Sequence, residues 1–181
     1  NKTKMSIDFK TIGMIALAIS TLVSCKKDIP IPQIIEGIYE NGYFITNEGN
    51  FGSGNGSISF VSNEGVVENN VFENVNDFLI GDVVQSMKII GDNAYIIVNS
   101  SAKIEVVSVD SINHLATIDI MFPRYIAKVS ESKAYVTDWG INGVQVIDLA
   151  TNTVSTTIVC GTGPEGIAVS NGFAYVCNVG G

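Results

Sequence analysis

From residue 37 onward, the hydrophobic residues occur in short runs rich in Val, Ile, Tyr and Phe, and clusters of Gly, Asn, Asp and Ser separate these runs. No part of this region shows the 3.6-residue apolar period of an amphipathic helix. Short β-rich runs bounded by turn residues are typical of strands. The pattern therefore predicts an all-β domain over residues 37–181.

The strand pattern repeats about every 40 residues. Ala-Tyr pairs begin at Ala94, Ala134 and Ala174. The run 104–107 likewise has a counterpart at 144–147. Four antiparallel strands in about 40 residues is the size of one β-propeller blade. A sandwich or a barrel does not require such a regular repeat, so the sequence favours a β-propeller of four-stranded blades.

The four strands of a blade are labelled a to d, from the centre of the propeller outwards. The predicted strands a are 86–90, 125–129 and 166–169; strands b are 94–98, 134–137 and 174–177; strands c are 103–109 and 143–149; strands d are 115–120 and 154–159. Residues 66–81 form an insertion between the first two repeats. About three and a half blades fit into the sequence, so we expect a part of a larger ring.

The N-terminus has the pattern of an export signal. Three lysines precede an apolar run over residues 11–23. Such a run predicts a signal peptide, because a membrane-spanning helix needs about 20 apolar residues. Leu22-Val23-Ser24-Cys25 resembles a lipobox, which predicts removal of residues 1–24 and lipidation of Cys25. Residues 25–36, with two prolines, would form a tether between the lipid and the domain.

The predicted location is the cell envelope, with a lipid anchor in the outer membrane. Several acyl chains on Cys25 would anchor the protein firmly, since stable anchoring takes at least two. The cluster Lys26-Lys27-Asp28 partly matches the signal that sends some Gram-negative lipoproteins to the cell exterior, so surface display is a further expectation.

Charge and cysteine content narrow the possible functions. Residues 25–181 contain seven basic and 17 acidic residues, a net charge of −10, which disfavours nucleic acid as a partner. The three cysteines form no CxxC pair and no zinc motif. A disulfide between Cys160 and Cys177 is one alternative, and small buried roles for both are the favoured one. We predict no metal and no cofactor.

Little in the sequence indicates catalysis. No Ser-His-Asp set, phosphate loop or acidic calcium loop is present. The single histidine, His114, follows an asparagine and is predicted to be a solvated turn residue. We therefore expect a non-enzymatic protein, while an enzyme whose catalytic residues lie in further blades remains an alternative.

The strand order predicts where a ligand would bind. Strands a and b form a hairpin, so the start of a and the end of b lie at the same end of each blade. The candidate ligand-binding residues at this end are Gln85, Arg124, Tyr125 and Glu165 at strand-a starts, and Asn50, Asn99, Asp138, Trp139 and Asn178 at or after strand-b ends. Asn47, Glu48 and Ser100 are predicted to lie at the same end.

Two interpretations compete for these residues. Asn and Asp after a strand commonly cap local backbone groups. This interpretation is favoured for the residues that recur in every blade, which are Asn47, Asn99, Asp138 and Asn178. Residues that differ between blades are better ligand candidates, and Arg124 and Trp139 are the only arginine and tryptophan. Trp139 is predicted either to be an aromatic platform or to pack between blades.

Tyr135-Val-Thr-Asp138, Tyr175-Val-Cys-Asn178 and Gly163-Pro-Glu-Gly166 resemble the YVTN-type (YncE-like) propeller repeat. Asp138 and Cys177 depart from the Asn and Thr of that motif. The divergent first blade, Gly42-Tyr-Phe-Ile-Thr-Asn47 and the glycine-rich segment after it, resembles a branch of surface lipoproteins from Gram-negative bacteria. The resemblance implies seven blades and, for some members, capture of cobalamin beside a TonB-dependent transporter.

Three hypotheses follow for the function. The first is an anchored binding module that captures a small nutrient or cofactor, such as a corrinoid, for a partner transporter. The second is a structural or adhesive disc that binds protein or glycan. The third is an enzyme with its site elsewhere. The fold alone does not decide between them, because propellers host all three.

Overall fold

The computed structural model describes Tyr39 and residues 41–180. The predicted signal peptide, Cys25 and the tether up to residue 36 lie outside the described residues. In chain order, the elements are β1 Gly42–Asn47, β2 Ser57–Ser62, β3 Val67–Glu68, α1 Val71–Asn76, β4 Val84–Ile90, β5 Asn93–Val98, a 3-10 turn Asn99–Ser101, β6 Lys103–Ser108, β7 His114–Asp119, β8 Pro123–Ser130, β9 Lys133–Asp138, β10 Gly143–Asp148, β11 Thr153–Val159, β12 Thr162–Ser170 and β13 Phe173–Gly180.

The strands form four antiparallel sheets that follow one another along the chain. Their orders are β1-β2-β3, β4-β5-β6-β7, β8-β9-β10-β11 and β12-β13, and they are called blades 1 to 4. Blades 2 and 3 have the predicted four strands, each paired with the next along the chain. The predicted all-β fold with four-stranded propeller blades is confirmed.

Polar two-residue turns join strands a and b in blades 2, 3 and 4. In blade 4, Asn171 and Gly172 connect β12 to β13 with φ angles of +51° and +79°. Two successive positive φ angles are typical of a type I′ turn, which matches the twist of the two strands. Glycine and asparagine occupy these positions because they tolerate the left-handed conformation.

The hydrophobic core lies between the blades. On β5, Ile96 and Val98 belong to a buried cluster with residues of blade 1, whereas Tyr95 and Ile97 belong to a second cluster with residues of blade 3. Successive side chains of a strand point to opposite faces, so one strand supplies both layers. Burying each of these large apolar side chains contributes about 1.5–3 kcal/mol.

The insertion contains a short helix that the sequence pattern did not predict. Helix α1 buries Val71 and Phe72 completely in the cluster between blades 1 and 2. Asn70 precedes the helix and Asp77 follows it, and both flanking residues have positive φ angles. Six residues are less than two helical turns, so no apolar period can develop. The prediction of an all-β domain holds, and α1 adds one short helix within the predicted insertion.

Strands a are longer at their starts than predicted. β4, β8 and β12 each carry a register shift near the start, between Val84 and Ser86, Pro123 and Ile126, and Pro164 and Ile167. A β-bulge of this kind redirects side chains out of the regular alternation. The bulges contain Gln85, Arg124 and Glu165, which therefore occupy equivalent positions in three successive blades.

Candidate functional site

Strand-a starts and strand-b ends meet at one end of the blades, as predicted. The backbone N–H of Trp139, after β9, donates to the carbonyl oxygen of Phe122, before β8, over 3.1 Å. In blade 2, the N–H of Asn99 donates to the carbonyl oxygen of Val83 over 2.9 Å. This end of the blades is called the top face, and it comprises the loops that follow strands b and precede strands a.

Arg124 and Glu165 form an ion pair across blades 3 and 4 on the top face. The guanidinium Nε donates to Oε2 of Glu165 and Nη2 donates to Oε1, each over 2.8 Å. The side chains are 14% and 22% exposed. Parallel bidentate bonds of this type fix the geometry of both groups. The structure therefore brings together two predicted site residues from different blades.

Trp139 stacks on this ion pair. The guanidinium carbon of Arg124 lies 4.1 Å from the centroid of the indole ring, which is within the range of a cation–π contact. Trp139 is 41% exposed, and the adjacent Met121 and Phe122 are 57% and 46% exposed. The indole is thus a partly exposed platform on the top face, which favours the platform interpretation over packing between blades.

Hydrogen bonds connect the bulges of neighbouring blades. The hydroxyl of Ser86 donates to the carbonyl oxygen of Arg124 over 2.8 Å. The hydroxyl of Thr137, which is fully buried, donates to the carbonyl oxygen of Glu165 over 2.7 Å and accepts from the N–H of Tyr125 over 3.1 Å. These bonds fix the backbone that carries Arg124 and Glu165.

Asp138 is fully buried and organises the loop that carries Trp139. Its Oδ1 accepts from the N–H of Phe122 over 3.1 Å and from the N–H of Gly140 over 2.8 Å. Its Oδ2 accepts from Nε2 of Gln145 over 3.1 Å. Every one of these bonds is internal to blade 3, so Asp138 acts as the predicted cap and positions Trp139 instead of facing a ligand.

The predicted asparagines lie at three different kinds of position. Nδ2 of Asn99 donates to the carbonyl oxygen of Pro123 over 3.0 Å, so Asn99 connects blade 2 to blade 3 instead of capping a local backbone group. Asn50 is exposed in the glycine-rich loop, and its N–H donates to Oδ1 of Asn55. Asn178 is exposed on β13, with Oδ1 at 3.8 Å from Sγ of Cys160. Gln85 and Tyr125 are half-buried at strand-a starts.

The glycine-rich loop of blade 1 is braced against the start of blade 2. The N–H of Gly52 donates to Oδ2 of Asp82 over 2.8 Å, and the N–H of Gly56 donates to the carbonyl oxygen of Gly81 over 2.9 Å. Phe51, in this loop, is 85% exposed. A second aromatic residue is therefore presented on the top face by an ordered loop.

A buried glutamate with polar and basic partners in blade 2 was not predicted from the sequence. The side chain of Glu105 is 2% exposed and lies 2.6 Å from Nζ of Lys103 and 2.9 Å from Nε2 of His114. Thr117 donates to the same carboxylate over 2.6 Å. His114 is the first residue of β7, so its prediction as a solvated turn residue is wrong. An acid within the apolar run 104–107 was the available signal.

A groove of about 650 Å³ lies at the opposite end of the blades, between blades 1 and 2. Among the described residues, β1 pairs with a strand on one side only. By contrast, β5 and β9, the strands b of blades 2 and 3, each pair with a strand on both sides. The groove adjoins that edge, so we attribute it to the space beside β1. Its lining residues are Tyr39, Gly42, Tyr43, Phe44, Met87, Lys88, Ile89, Val109 and Asp110.

The two cysteines of the described region are free. Cys160 is half-buried, and burial raises the pKa of its thiol, which disfavours the nucleophilic thiolate. Cys177 is exposed, so the small buried role expected for it is wrong. Within residues 41–180, no three His, Cys, Asp or Glu side chains are grouped so that they could hold a metal. No helix of this part of the chain is long and apolar enough to cross a membrane.

A family model described as a domain of unknown function (DUF5074) matches residues 41–181. No curated protein matches the sequence. Among solved structures, hydrazine synthase from Kuenenia stuttgartiensis is similar with a TM-score of 0.53 and 18% identity, over 64% of this chain and 33% of that chain. The nidogen–laminin complex is similar with a TM-score of 0.50 and 12% identity, over 66% and 43%.

At these identities the likeness shows the fold alone, which is propeller-like. A third structure, apo AztD from Citrobacter koseri, has a TM-score of 0.45 and 13% identity, over 77% of this chain and 38% of that chain. The chain thus spans between a third and a little over two fifths of the length of these structures.

Proposed function

The chain belongs to the DUF5074 family, and we propose from the geometry of its top face that it is a non-enzymatic module that binds a small molecule. The observation that carries this proposal is the stack of Arg124 on Trp139, fixed by Glu165. Binding sites combine apolar or aromatic surface with a few well-placed polar groups, and this stack has both.

The site is held in place before any ligand arrives. Asp138 fixes the loop of Trp139, and Thr137 fixes the bulge of Glu165. Groups that are already ordered lose little conformational freedom on binding, so more of the contact energy appears as affinity. Both carboxylate oxygens of Glu165 accept from Arg124, so the pair is arranged for recognition instead of proton transfer.

The resemblance to YncE-like surface lipoproteins supports a location and a partner within this proposal. Lipidated at Cys25, the module would lie at the outer membrane and pass its ligand to a TonB-dependent transporter. A corrinoid is one candidate ligand on that basis. The shared motifs Tyr135-Val-Thr-Asp138 and Tyr175-Val-Cys-Asn178 are the support for this finer assignment.

One observation favours the alternative of an interaction disc. Phe51 is 85% exposed in a loop that is braced by Asp82, which is the arrangement expected of an aromatic anchor for a protein partner. An anchor at Phe51 would act without Trp139. The two functions are therefore separable by substituting each aromatic residue alone.

The test is a ligand-induced thermal shift of the intact chain against a panel of corrinoids, sugars, nucleosides and amino acids. A compound that binds the folded state raises the midpoint of unfolding in proportion to its occupancy. We expect Trp139→Ala and Arg124→Ala to remove the shift that an active compound produces. Lys128→Ala, a cation in an exposed pair with Glu131, is the matched control and should retain the shift. A shift that survives both top-face substitutions would contradict the proposal.

A further inference from the structure

Arg124 lies over one face of the Trp139 indole, with its guanidinium carbon 4.1 Å from the ring centroid. Trp139 is still 41% exposed, so part of the indole remains accessible. The neighbouring Met121 and Phe122 extend the apolar surface, and an added Cβ on Gly140 would lie 2.8 Å from the Met121 side chain, so the two loops are in close contact. The result is a rigid apolar ledge of limited size.

The edge of this ledge carries donors and acceptors in adjacent positions. Glu165 accepts at both oxygens from Nε and Nη2 of Arg124, and each oxygen has a further lone pair. Nη1 of Arg124 has no acceptor among residues 41–180 and remains available as a donor. Gln85 occupies the equivalent bulge of blade 2, next to Arg124, since Ser86 bonds to the Arg124 carbonyl.

The formal charges on this edge cancel. Arg124 is paired with Glu165 at 2.8 Å, so the site offers a simple anion no net positive charge. The predicted mature region carries a net charge of −10, which further disfavours anions. A cation would find the carboxylate of Glu165 already neutralised. The complementary ligand is therefore uncharged.

We propose that the Trp139–Arg124–Glu165 site binds a neutral sugar ring. This deepens the proposed function and depends on it. The apolar C–H face of a pyranose stacks on the indole, and two neighbouring hydroxyls lie at the ledge edge. Each hydroxyl is both a donor and an acceptor, so one donates to Glu165 while the next accepts from Nη1 of Arg124. A flat aromatic ligand would use the indole but would make no hydrogen bonds to the remaining lone pairs of Glu165 or to Nη1 of Arg124, which a sugar can use.

The test is isothermal titration calorimetry of the intact chain with glucose, galactose, mannose and N-acetylglucosamine, and with short oligomers of each. We expect saturable binding of at least one neutral sugar, with a dissociation constant on the order of 1 mM or below. Glucuronate and glucosamine, which add one charge each, should bind at least tenfold more weakly than the matching neutral sugar. Because Trp139 is the only tryptophan, its fluorescence reports the same event at the site itself.

The variants separate stacking from hydrogen bonding. Trp139→Ala should abolish sugar binding, whereas Trp139→Phe, which keeps an aromatic ring, should retain weakened binding. Glu165→Gln keeps the size of the side chain and should weaken binding about tenfold. Phe51→Ala removes an exposed aromatic residue outside the ledge and should leave the affinity unchanged. Circular dichroism of each variant verifies that it is folded.

Two results overturn the sugar assignment in distinguishable ways. If no neutral sugar binds but adenosine or cyanocobalamin binds and requires Trp139, the sugar assignment fails while the proposed binding function stands. If a sugar binds equally well to the wild type, Trp139→Ala and Glu165→Gln, both the assignment and the proposed site are wrong.

Discussion

Arg124 of β8 and Glu165 of β12 connect blades 3 and 4 through two parallel hydrogen bonds of 2.8 Å. The two residues occupy equivalent bulges of successive innermost strands, and Gln85 occupies the same position in blade 2. Gln85 is uncharged, whereas Arg124 and Glu165 are charged, so equivalent positions of the repeat differ on the top face. A ligand that recognises one side of a repeating structure needs such an asymmetry.

We expect the Arg124–Glu165 pair to stabilise the fold as well as to form a site. A double-mutant cycle with Arg124→Ala and Glu165→Ala should give a coupling of about 1–3 kcal/mol in the free energy of unfolding, because both side chains are largely buried. Urea denaturation measures the free energy of unfolding of the wild type, the two single variants and the double variant, from which the coupling is calculated.

The matched control for this cycle is Lys128 and Glu131, an ion pair in which Glu131 is 96% exposed. Its coupling should be about 0.5 kcal/mol or less, since solvent screens exposed pairs. Equal coupling energies for the two ion pairs would mean that the bidentate geometry between blades 3 and 4 adds nothing to the free energy of unfolding.

Glu105 should be far more sensitive than its position in an apolar strand indicates. Glu105→Ala leaves Lys103 without its partner and is expected to cost about 3–5 kcal/mol of unfolding free energy. Glu105→Gln retains hydrogen bonds to Thr117 and His114 and should cost about 1–3 kcal/mol. Chemical denaturation distinguishes these values. An unchanged stability of Glu105→Ala would show that the buried cluster is not formed in solution.

Tyr39 should make stability depend on pH in the alkaline range. Burial, followed by the nearby carboxylate of Glu68 and the hydrogen bond to it, raises the pKa of Tyr39 from 10.0 to about 12. The unfolded chain releases this proton at lower pH than the folded chain, so the contribution is complete below pH 10 and is lost as pH rises through 12.

The measurement is the difference in unfolding free energy between the wild type and Tyr39→Phe at pH 9 and at pH 11.5. Tyr39→Phe lacks the titrating group, whereas the lysines are common to both proteins and cancel in the difference. We expect the advantage of the wild type to shrink as the pH rises. A difference that is independent of pH would contradict the partly buried, hydrogen-bonded placement of Tyr39.

Helix α1 is expected to be part of the core and not a surface insertion. Phe72 is fully buried, so Phe72→Ala should cost about 3–5 kcal/mol. Phe78 is 42% exposed and contacts the rings of Phe72 and His114. Phe78→Ala should therefore lower the free energy of unfolding by less than Phe72→Ala does. Thermal unfolding of both variants gives the comparison, and equal losses would argue against the burial of α1.

The blades could be predicted because the same pattern of strands and turns recurs along the sequence. The pair Ala94-Tyr95 recurs at 40-residue spacing, and its strand has the predicted bounds to within one residue. The face shared by Arg124 and Trp139 followed from the hairpin connection alone. These inferences need only the local alternation of strands and the order in which they pair.

The contacts within the site were not predictable, for physical reasons. The pairing of Arg124 with Glu165 depends on β-bulges, which leave no periodic signal. The cluster around Glu105 depends on His114 lying inside β7, one residue earlier than the predicted strand start. The pairing of β6 with β7 also shifts register between Val106 and Val107, and such an irregularity lets His114 and Thr117, three residues apart, reach the same carboxylate.

The central claim is that a ligand binds on the top face, and amide hydrogen exchange with and without an active compound tests it most directly. We predict that the ligand slows exchange in the segments 121–125 and 138–142, which surround Trp139. Exchange in the turns 91–93 and 131–133, at the opposite end of the blades, should be unchanged. Protection confined to those turns, or to the groove beside β1, would contradict the account.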